Sequence, residues 1–125
     1  MKYNRFDELP IWKEAVELAK LIYNLTEKKN WVKDFSFKDQ IRRAIISVAS
    51  NIAEGFELNS INEFIRYLRI SKASLGEART QLFISSEIGY TSEEDYKVLE
   101  TRLNALSKDI GGFIVYLNKF RANKK

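Results

Sequence analysis

The chain of 125 residues contains no cysteine and no histidine, and these two absences exclude catalysis that depends on a thiol or an imidazole. Without cysteine there is no disulfide framework, so a reducing compartment is the expected environment. The chain also lacks a thiol nucleophile, an imidazole base and the usual zinc ligands. Helical-bundle ribonucleases that pair arginine with histidine are therefore excluded, and so are bundle metal sites built on Glu-x-x-His motifs. We expect no enzyme, no metal and no cofactor, with a carboxylate-only magnesium site as the one catalytic alternative.

Proline and glycine are scarce, with one and five copies, which argues against a loop-rich β fold and for long helices. No apolar run approaches the roughly 18 residues of a membrane span, and the first residues lack the apolar core of a signal peptide. We therefore expect a cytoplasmic protein without a membrane role. Residues 1–125 have the length of a single domain with one core.

The net charge of +4 comes from 21 basic and 17 acidic residues. Four of the basic residues close the chain, namely Lys119, Arg121, Lys124 and Lys125. The formal charges of residues 1–118 consequently sum to zero, so the excess positive charge lies in the tail and the body of the protein is neutral. Such a tail is either merely solvated or makes a contact with nucleic acid or another anionic surface.

Hydrophobic periodicity predicts four helices, over about residues 10–29, 36–55, 60–88 and 92–121. Pro10 suits a first helical position, and Ser36 and Ser60 each begin a capping box with an acidic residue three positions later. Gly55 and Gly89 are predicted to end the helices that precede them. Short connections imply antiparallel neighbours, so the predicted fold is an all-α, up-down-up-down four-helix bundle.

The third and fourth predicted helices carry more apolar surface than one core requires. In the fourth, a second stripe is formed by Val98, Ala105, Gly112 and Tyr116. The pair Gly111 and Gly112 costs about 0.5–1 kcal/mol per glycine relative to alanine, which is easier to understand if another backbone approaches closely. We predict that this stripe is a subunit contact in a closed symmetric assembly. The alternative is a broad intramolecular core in which Trp12, Trp31 and the N-terminal aromatic residues cover the same side chains.

A polar stripe runs along the second predicted helix and includes Arg43, Ser47, Asn51 and Glu54. We predict that these four residues form a polar network that specifies how helices and subunits meet, as one buried polar residue does in coiled coils. The alternative is that Asn51 and Glu54 bind a ligand or a nucleotide near the end of the bundle.

Basic residues cluster on the second and third helices and in the tail. The candidates for contact with nucleic acid are Arg42, Arg66, Arg69, Lys72, Arg79, Lys119 and Arg121. They would contact phosphates without reading sequence, since the chain has no aromatic-basic stacking motif and no helix-turn-helix reader. The alternative is that they pair with acidic residues within or between subunits, for example Glu63 and Glu77.

Several motifs, taken in order, resemble one known family. The segments are Leu9–Ala15, Gln40–Gly55, Phe64–Glu77 and Gly89–Tyr90. They resemble the 23S ribosomal RNA intervening-sequence proteins, which are small bacterial four-helix bundles. The second segment carries that family's Q-I-R-R-A and N-I-A-E-G pattern, and the third carries its Ser-Leu-x-Glu element.

The resemblance implies a left-handed four-helix bundle that assembles into a homopentamer. The family is named for reading frames inside insertions in ribosomal RNA genes, and no enzymatic activity is established for it as a whole. It is also similar to the accessory proteins of diversity-generating retroelements, which are pentameric and bind nucleic acid and a reverse transcriptase. We therefore predict a non-catalytic homo-oligomer that binds RNA, other nucleic acid or a nucleoprotein partner through its basic surface. The alternative is a purely structural oligomer or a protein-interaction scaffold.

Overall fold

The computed structural model describes residues 2–123, so the predicted tail residues Lys124 and Lys125 lie outside the described part of the chain. A 3-10 turn at Phe6–Glu8 precedes five helices, α1 (Pro10–Leu25), α2 (Lys29–Val32), α3 (Phe35–Glu57), α4 (Ile61–Glu87) and α5 (Glu93–Asn123). All regular structure in residues 2–123 is helical, which confirms the predicted all-α class.

The four long helices pack in a closed cycle, because α1 and α4 each contact both α3 and α5. Helices α3 and α4 are antiparallel, because later residues of α3 contact earlier residues of α4. Ser47 bonds Ser74, whereas the later Gly55 lies against the earlier Tyr67. The contacts between α4 and α5 run in the same opposed manner. Helices α3, α4 and α5 therefore alternate in direction around one core.

The core is formed by the apolar faces of the four long helices. Its fully buried side chains include Leu18, Ile22, Ile41, Ile45, Ile52, Leu68, Leu75, Leu82 and Leu103. Their spacing of three and four residues is the reason these segments are helices, since only a helix brings such positions onto one side. Burial of each side chain contributes roughly 1.5–3 kcal/mol to folding.

Helix α3 does not end at Gly55 as the sequence suggested, but continues to Glu57. Gly55 is buried where α3 crosses α4, and a Cβ on it would lie 2.6 Å from Cβ of Tyr67 and 3.1 Å from a ring carbon of Phe64. The glycine therefore permits a close helix contact. The left-handed backbone expected after the helix occurs at Asn59, with φ of 53°.

The start of α3 also differs from the prediction. Its N-cap is Asp34, whose carboxylate accepts a hydrogen bond of 3.2 Å from the backbone N–H of Phe37, and Ser36 lies inside the helix. Ser60 caps α4 as predicted. Gly89 follows α4 with φ of 83°, which is the predicted glycine stop.

The short helix α2 closes one end of the bundle. Helix α1 stops at Thr26, whose hydroxyl donates to the carbonyl of the preceding turn, and the chain then forms α2. This helix buries Trp31 completely. The indole N–H donates to the Thr91 hydroxyl at 2.9 Å, Thr91 bonds Ser85 at 2.7 Å, and the indole ring stacks on Phe37 at 4.8 Å. The buried polar side chains of Trp31, Thr91 and Ser85 thus satisfy one another.

Candidate nucleic-acid interface

Arg42, one of the predicted phosphate contacts, is engaged inside the chain. Its guanidinium donates to the hydroxyl of Thr26 at 2.8 Å and to the carboxylate of Glu27 at 2.6 Å. It also lies over the ring of Tyr23, 4.2 Å from the centroid. Arg42 therefore ties the end of α1 to α3, and binding a phosphate would require these contacts to break.

Two further candidates on α4 have acidic partners. Arg79 forms a two-pronged pair with Glu100 on α5, with N–O distances of 3.0 and 2.7 Å. Arg66 donates to Glu63 at 2.7 Å and lies over the ring of Tyr67. The hydrogen bond that Arg66 donates to Glu63 raises the pKa of Arg66 above its ordinary value. The Arg66 pair is exposed and weak, whereas the half-buried Arg79 pair joins two helices.

The tail candidate Arg121 is held by two amide side chains. Its guanidinium donates to Asn62 at the start of α4 and to Asn118 one turn earlier in α5. Neither partner is an acid, so the positive charge of Arg121 is not neutralised. Arg121 therefore adds a fixed positive charge to the end of the bundle where α4 begins and α5 ends.

Four exposed cations lie on the outward faces of α4 and α5, and we call this group the basic strip. It consists of Arg69, Lys72, Lys108 and Lys119. None of the four has an ion-pair partner among the described residues. The Lys72 side chain crosses onto α5, where its Cε lies 3.4 Å from the position of a Cβ on Gly111. Arg69 is one turn from Lys72, and Lys108 is one turn from Gly111, so the two helices share the surface.

The acidic residues of this region lie on the flanks of the basic strip. Helical spacing places Glu77 about 140° around α4 from Lys72, toward α3. Asp109 is about 100° around α5 from Lys108, toward α1. Glu100, which faces α4, is occupied by its pair with Arg79. The basic strip is consequently positive although the body of the protein is neutral.

The sequence prediction included three of the four strip residues and missed Lys108. Nothing in the sequence of α5 marks Lys108 as a binding residue, because it is an ordinary exposed lysine one turn before the glycine pair. Only the packing of α5 against α4 brings Lys72 to Gly111, one turn from Lys108. The predicted residues Arg42 and Arg79 have their charges matched instead by Glu27 and Glu100, which the sequence prediction did not name as partners.

The predicted polar network is divided by the structure. Ser47 bonds Ser74 at 3.0 Å across the α3–α4 contact, and the amide of Asn51 donates to the Ser47 hydroxyl and carbonyl at 2.8 Å. Arg43 is exposed and pairs within its own helix. Glu54 is exposed and has no ion-pair partner among the described residues. Ser47 and Asn51 thus contribute to helix packing, whereas Arg43 and Glu54 lie at the surface.

The predicted subunit stripe on α5 faces outward in the single chain. Val98 and Tyr116 are 61% and 47% exposed, and Ala105 is also exposed. Nothing lies within 4 Å of the position that a Cβ on Gly112 would occupy. The aromatic residues near the N-terminus do not cover this stripe, in contrast to the intramolecular alternative. Its role as a subunit contact stays a prediction.

Acidic side chains are the only metal ligands of the usual kinds that the composition leaves, since cysteine and histidine are lacking. In residues 2–123, no group of three acidic side chains converges closely enough to hold a metal ion. Within the same residues, none of the helices combines the length and the apolar character needed to cross a membrane.

Comparison with known proteins agrees with this architecture. A crystal structure of a protein of unknown function from the S23 ribosomal protein family of Bacteroides thetaiotaomicron has a TM-score of 0.78 to this fold. The two sequences are 26% identical, and the match covers 83% of this chain and 97% of that one. No curated protein matches the chain. Residues 7–112 match the family model described as 23S rRNA-intervening sequence protein, and the chain therefore belongs to that family.

Proposed function

We propose that the protein is a non-catalytic homo-oligomer that binds nucleic acid, with RNA as the first candidate, through the basic strip. The observation that carries the proposal is the basic strip itself: four exposed cations lie together on α4 and α5 without an ion-pair partner among the described residues. The resemblance to nucleic-acid-binding accessory proteins of retroelements supports the same function.

The chemistry of the basic strip suits phosphates. Each lysine or arginine that meets a phosphate releases condensed counterions, so the affinity depends steeply on salt concentration. Flexible lysine and arginine side chains on a helix surface position a nucleic-acid backbone, but they carry no sequence readout of their own. We therefore expect general rather than sequence-specific binding by the basic strip.

Assembly strengthens this proposal. A homo-oligomer repeats the basic strip once per subunit, and several weak sites on one particle bind one strand more tightly than a single site does. The exposed apolar stripe of Val98, Ala105, Gly112 and Tyr116 supports self-association. The family resemblance implies that the number of subunits is five.

The test neutralises the basic strip at the contact between α4 and α5. The variant Arg69→Gln, Lys72→Gln, Lys108→Gln should bind a labelled single-stranded RNA about ten-fold or more weakly in fluorescence anisotropy. The slope of log affinity against log salt should become shallower by about 2, since each lost contact contributes about 0.7.

A matched control removes the same charge elsewhere. The control uses three exposed lysines, namely Lys13 on α1, Lys29 on α2 and Lys33 directly after α2. They have no ion-pair partner among the described residues. Their triple glutamine variant should keep both the affinity and the salt slope nearly unchanged. Equal losses in the two variants would contradict the basic strip, and wild-type protein that binds neither RNA nor DNA would contradict the function.

An apolar groove between α1 and α3 favours the second candidate, a protein-interaction scaffold. The groove is lined by Val16, Ala19, Tyr23, Ile46 and Ala49, and Ile46 is 43% exposed. A protein partner that docks on apolar surface would be lost in Ile46→Glu and retained in the glutamine variant of the basic strip. That result, together with no affinity for nucleic acid, would favour the scaffold.

A further inference from the structure

A cleft of about 400 Å³ opens at the end of the bundle where α3 ends and α4 begins. Three half-buried aromatic rings line it, from Tyr3, Phe56 and Phe120. Asn4 and Asn59 also line it, and both are exposed. Neither amide side chain has a hydrogen bond to another described residue. The cleft thus combines aromatic surface with two uncommitted primary amides.

The rings of Tyr3, Phe56 and Phe120 form the aromatic wall of the cleft, and ring packing holds Phe56 and Phe120 in place. Phe56 meets the buried Phe64 edge to face, with centroids 5.8 Å apart and an angle of 90°. Phe64 makes the same kind of contact with Phe113 at 5.6 Å. Phe120 lies 6.2 Å from the ring of Tyr116. Because these rings are fixed before any ligand arrives, the cleft loses little side-chain entropy on binding.

The residue types of the cleft match a nucleobase. Aromatic side chains stack on bases of any sequence, because every base has a π face. A primary amide offers one acceptor and two donors, which is the pattern needed to bond the edge of a base. A volume of about 400 Å³ also falls within the range of small-molecule sites.

The cleft lies beside the positive charge already described. Lys119 of the basic strip is adjacent to Phe120 in α5, and Arg121 is anchored to Asn62 in the first turn of α4. The cleft is also lined by Ile61, at the positive end of the α4 dipole. The nearby carboxylate of Glu8 already accepts the backbone N–H groups of residues 4 and 5. A strand on the basic strip would therefore keep its phosphates near cations as it reached the cleft.

We propose that this cleft binds an unpaired nucleobase of a single-stranded nucleic acid whose phosphates lie on the basic strip. The inference rests on the proposed function and adds a base-binding site to a surface that otherwise contacts phosphates. The base stacks against the aromatic wall, while the amides of Asn4 and Asn59 bond its edge. Binding consequently favours single strands with bases over a sugar-phosphate chain alone.

The test distinguishes the contribution of the bases to the affinity from that of the phosphates. Anisotropy compares an oligoadenylate of about 12 nucleotides with a fully abasic strand of equal length, which carries the same phosphates. The wild-type protein should bind the oligoadenylate about ten-fold more tightly. In the variant Tyr3→Leu, Asn59→Gly this preference should fall to about two-fold or less, with the affinity for the abasic strand unchanged. Glycine at position 59 tolerates the φ of 53°, so Asn59→Gly alone provides a second variant that keeps the turn.

Two controls define the outcomes. Phe35→Leu removes an exposed ring at the opposite end of α3 and should keep the ten-fold preference. The glutamine variant of the basic strip should weaken both strands and keep their ratio. Equal wild-type affinity for the two strands, or a preference that survives in both cleft variants, overturns the cleft and leaves the proposed function standing. Failure of the wild-type protein to bind either strand overturns both.

Discussion

Glycine has two different physical roles in these helices. Gly55 is buried at the crossing of α3 and α4, where a Cβ would come within 2.6 Å of Tyr67. Gly76 and Gly112 are exposed, and nothing lies within 4 Å of the position that a Cβ would take on either. A glycine inside a helix costs up to about 1 kcal/mol relative to alanine. Packing within the chain accounts for that cost at Gly55, but not at the two exposed positions.

Alanine substitutions should therefore have opposite effects. Gly55→Ala forces α3 and α4 apart, since the clash is with the Cβ of Tyr67 rather than with a flexible side-chain end, and should lower the free energy of unfolding by about 1–3 kcal/mol. Gly76→Ala, the matched control, should leave it unchanged or raise it by up to about 1 kcal/mol. Urea denaturation at one protein concentration measures both. A loss of similar size in both variants would contradict the difference in packing.

At the scale of the element, the connection between α1 and α3 is the part that local pattern predicts least well. Periodicity predicts one helix to about residue 29, whereas α1 ends at Leu25 and α2 follows as a separate helix. The hydroxyl of Thr26 accepts a hydrogen bond from Arg42 on α3. Trp31 then donates a hydrogen bond to Thr91, which lies in the connection between α4 and α5. Both partners are distant in sequence, so the break in the helix depends on tertiary contacts.

Replacement of Trp31 tests the contribution of its tertiary contacts. Trp31→Phe leaves an aromatic ring in the core but removes the hydrogen bond to Thr91 and part of the buried volume, so we expect a loss of about 2–4 kcal/mol in unfolding free energy. Trp12→Phe is the matched control, because Trp12 is half-buried and packs on Phe6 without a hydrogen bond to another described residue. It should cost about 1 kcal/mol or less. Equal costs would show that the buried hydrogen bond contributes little.

At the scale of the whole molecule, the surface has a basic region and separate exposed apolar regions. The basic strip covers the contact between α4 and α5, and the apolar stripe lies on the same α5, displaced toward α1. Exposed isoleucines lie on α4 or directly after it, namely Ile70 at 39%, Ile84 at 43% and Ile88 at 53%. Nonpolar side chains in such number on one small protein favour association.

Assembly is tested by mass. Light scattering of the wild-type protein should give several times the chain mass of 14.6 kDa. Ala105→Arg places a long cation on the exposed stripe of α5 and should shift the protein toward the monomer while its helical circular dichroism persists. Ser36→Arg adds the same side chain at an exposed position of α3 and should leave the mass unchanged. A monomeric wild-type protein at micromolar concentration would contradict the assembly.

The sequence by itself determined the helical class, the apolar face of each long helix, the cap at Ser60 and the stop at Gly89, because these depend on residues one or two turns apart. It also determined, through the missing cysteine and histidine, which chemistries are excluded. Only the tertiary structure decided that Arg42 and Arg79 are engaged by Glu27 and Glu100, and that Lys108 completes the basic strip. These outcomes depend on the register and contact of helices far apart in the chain, and periodicity within one helix carries no information about that register.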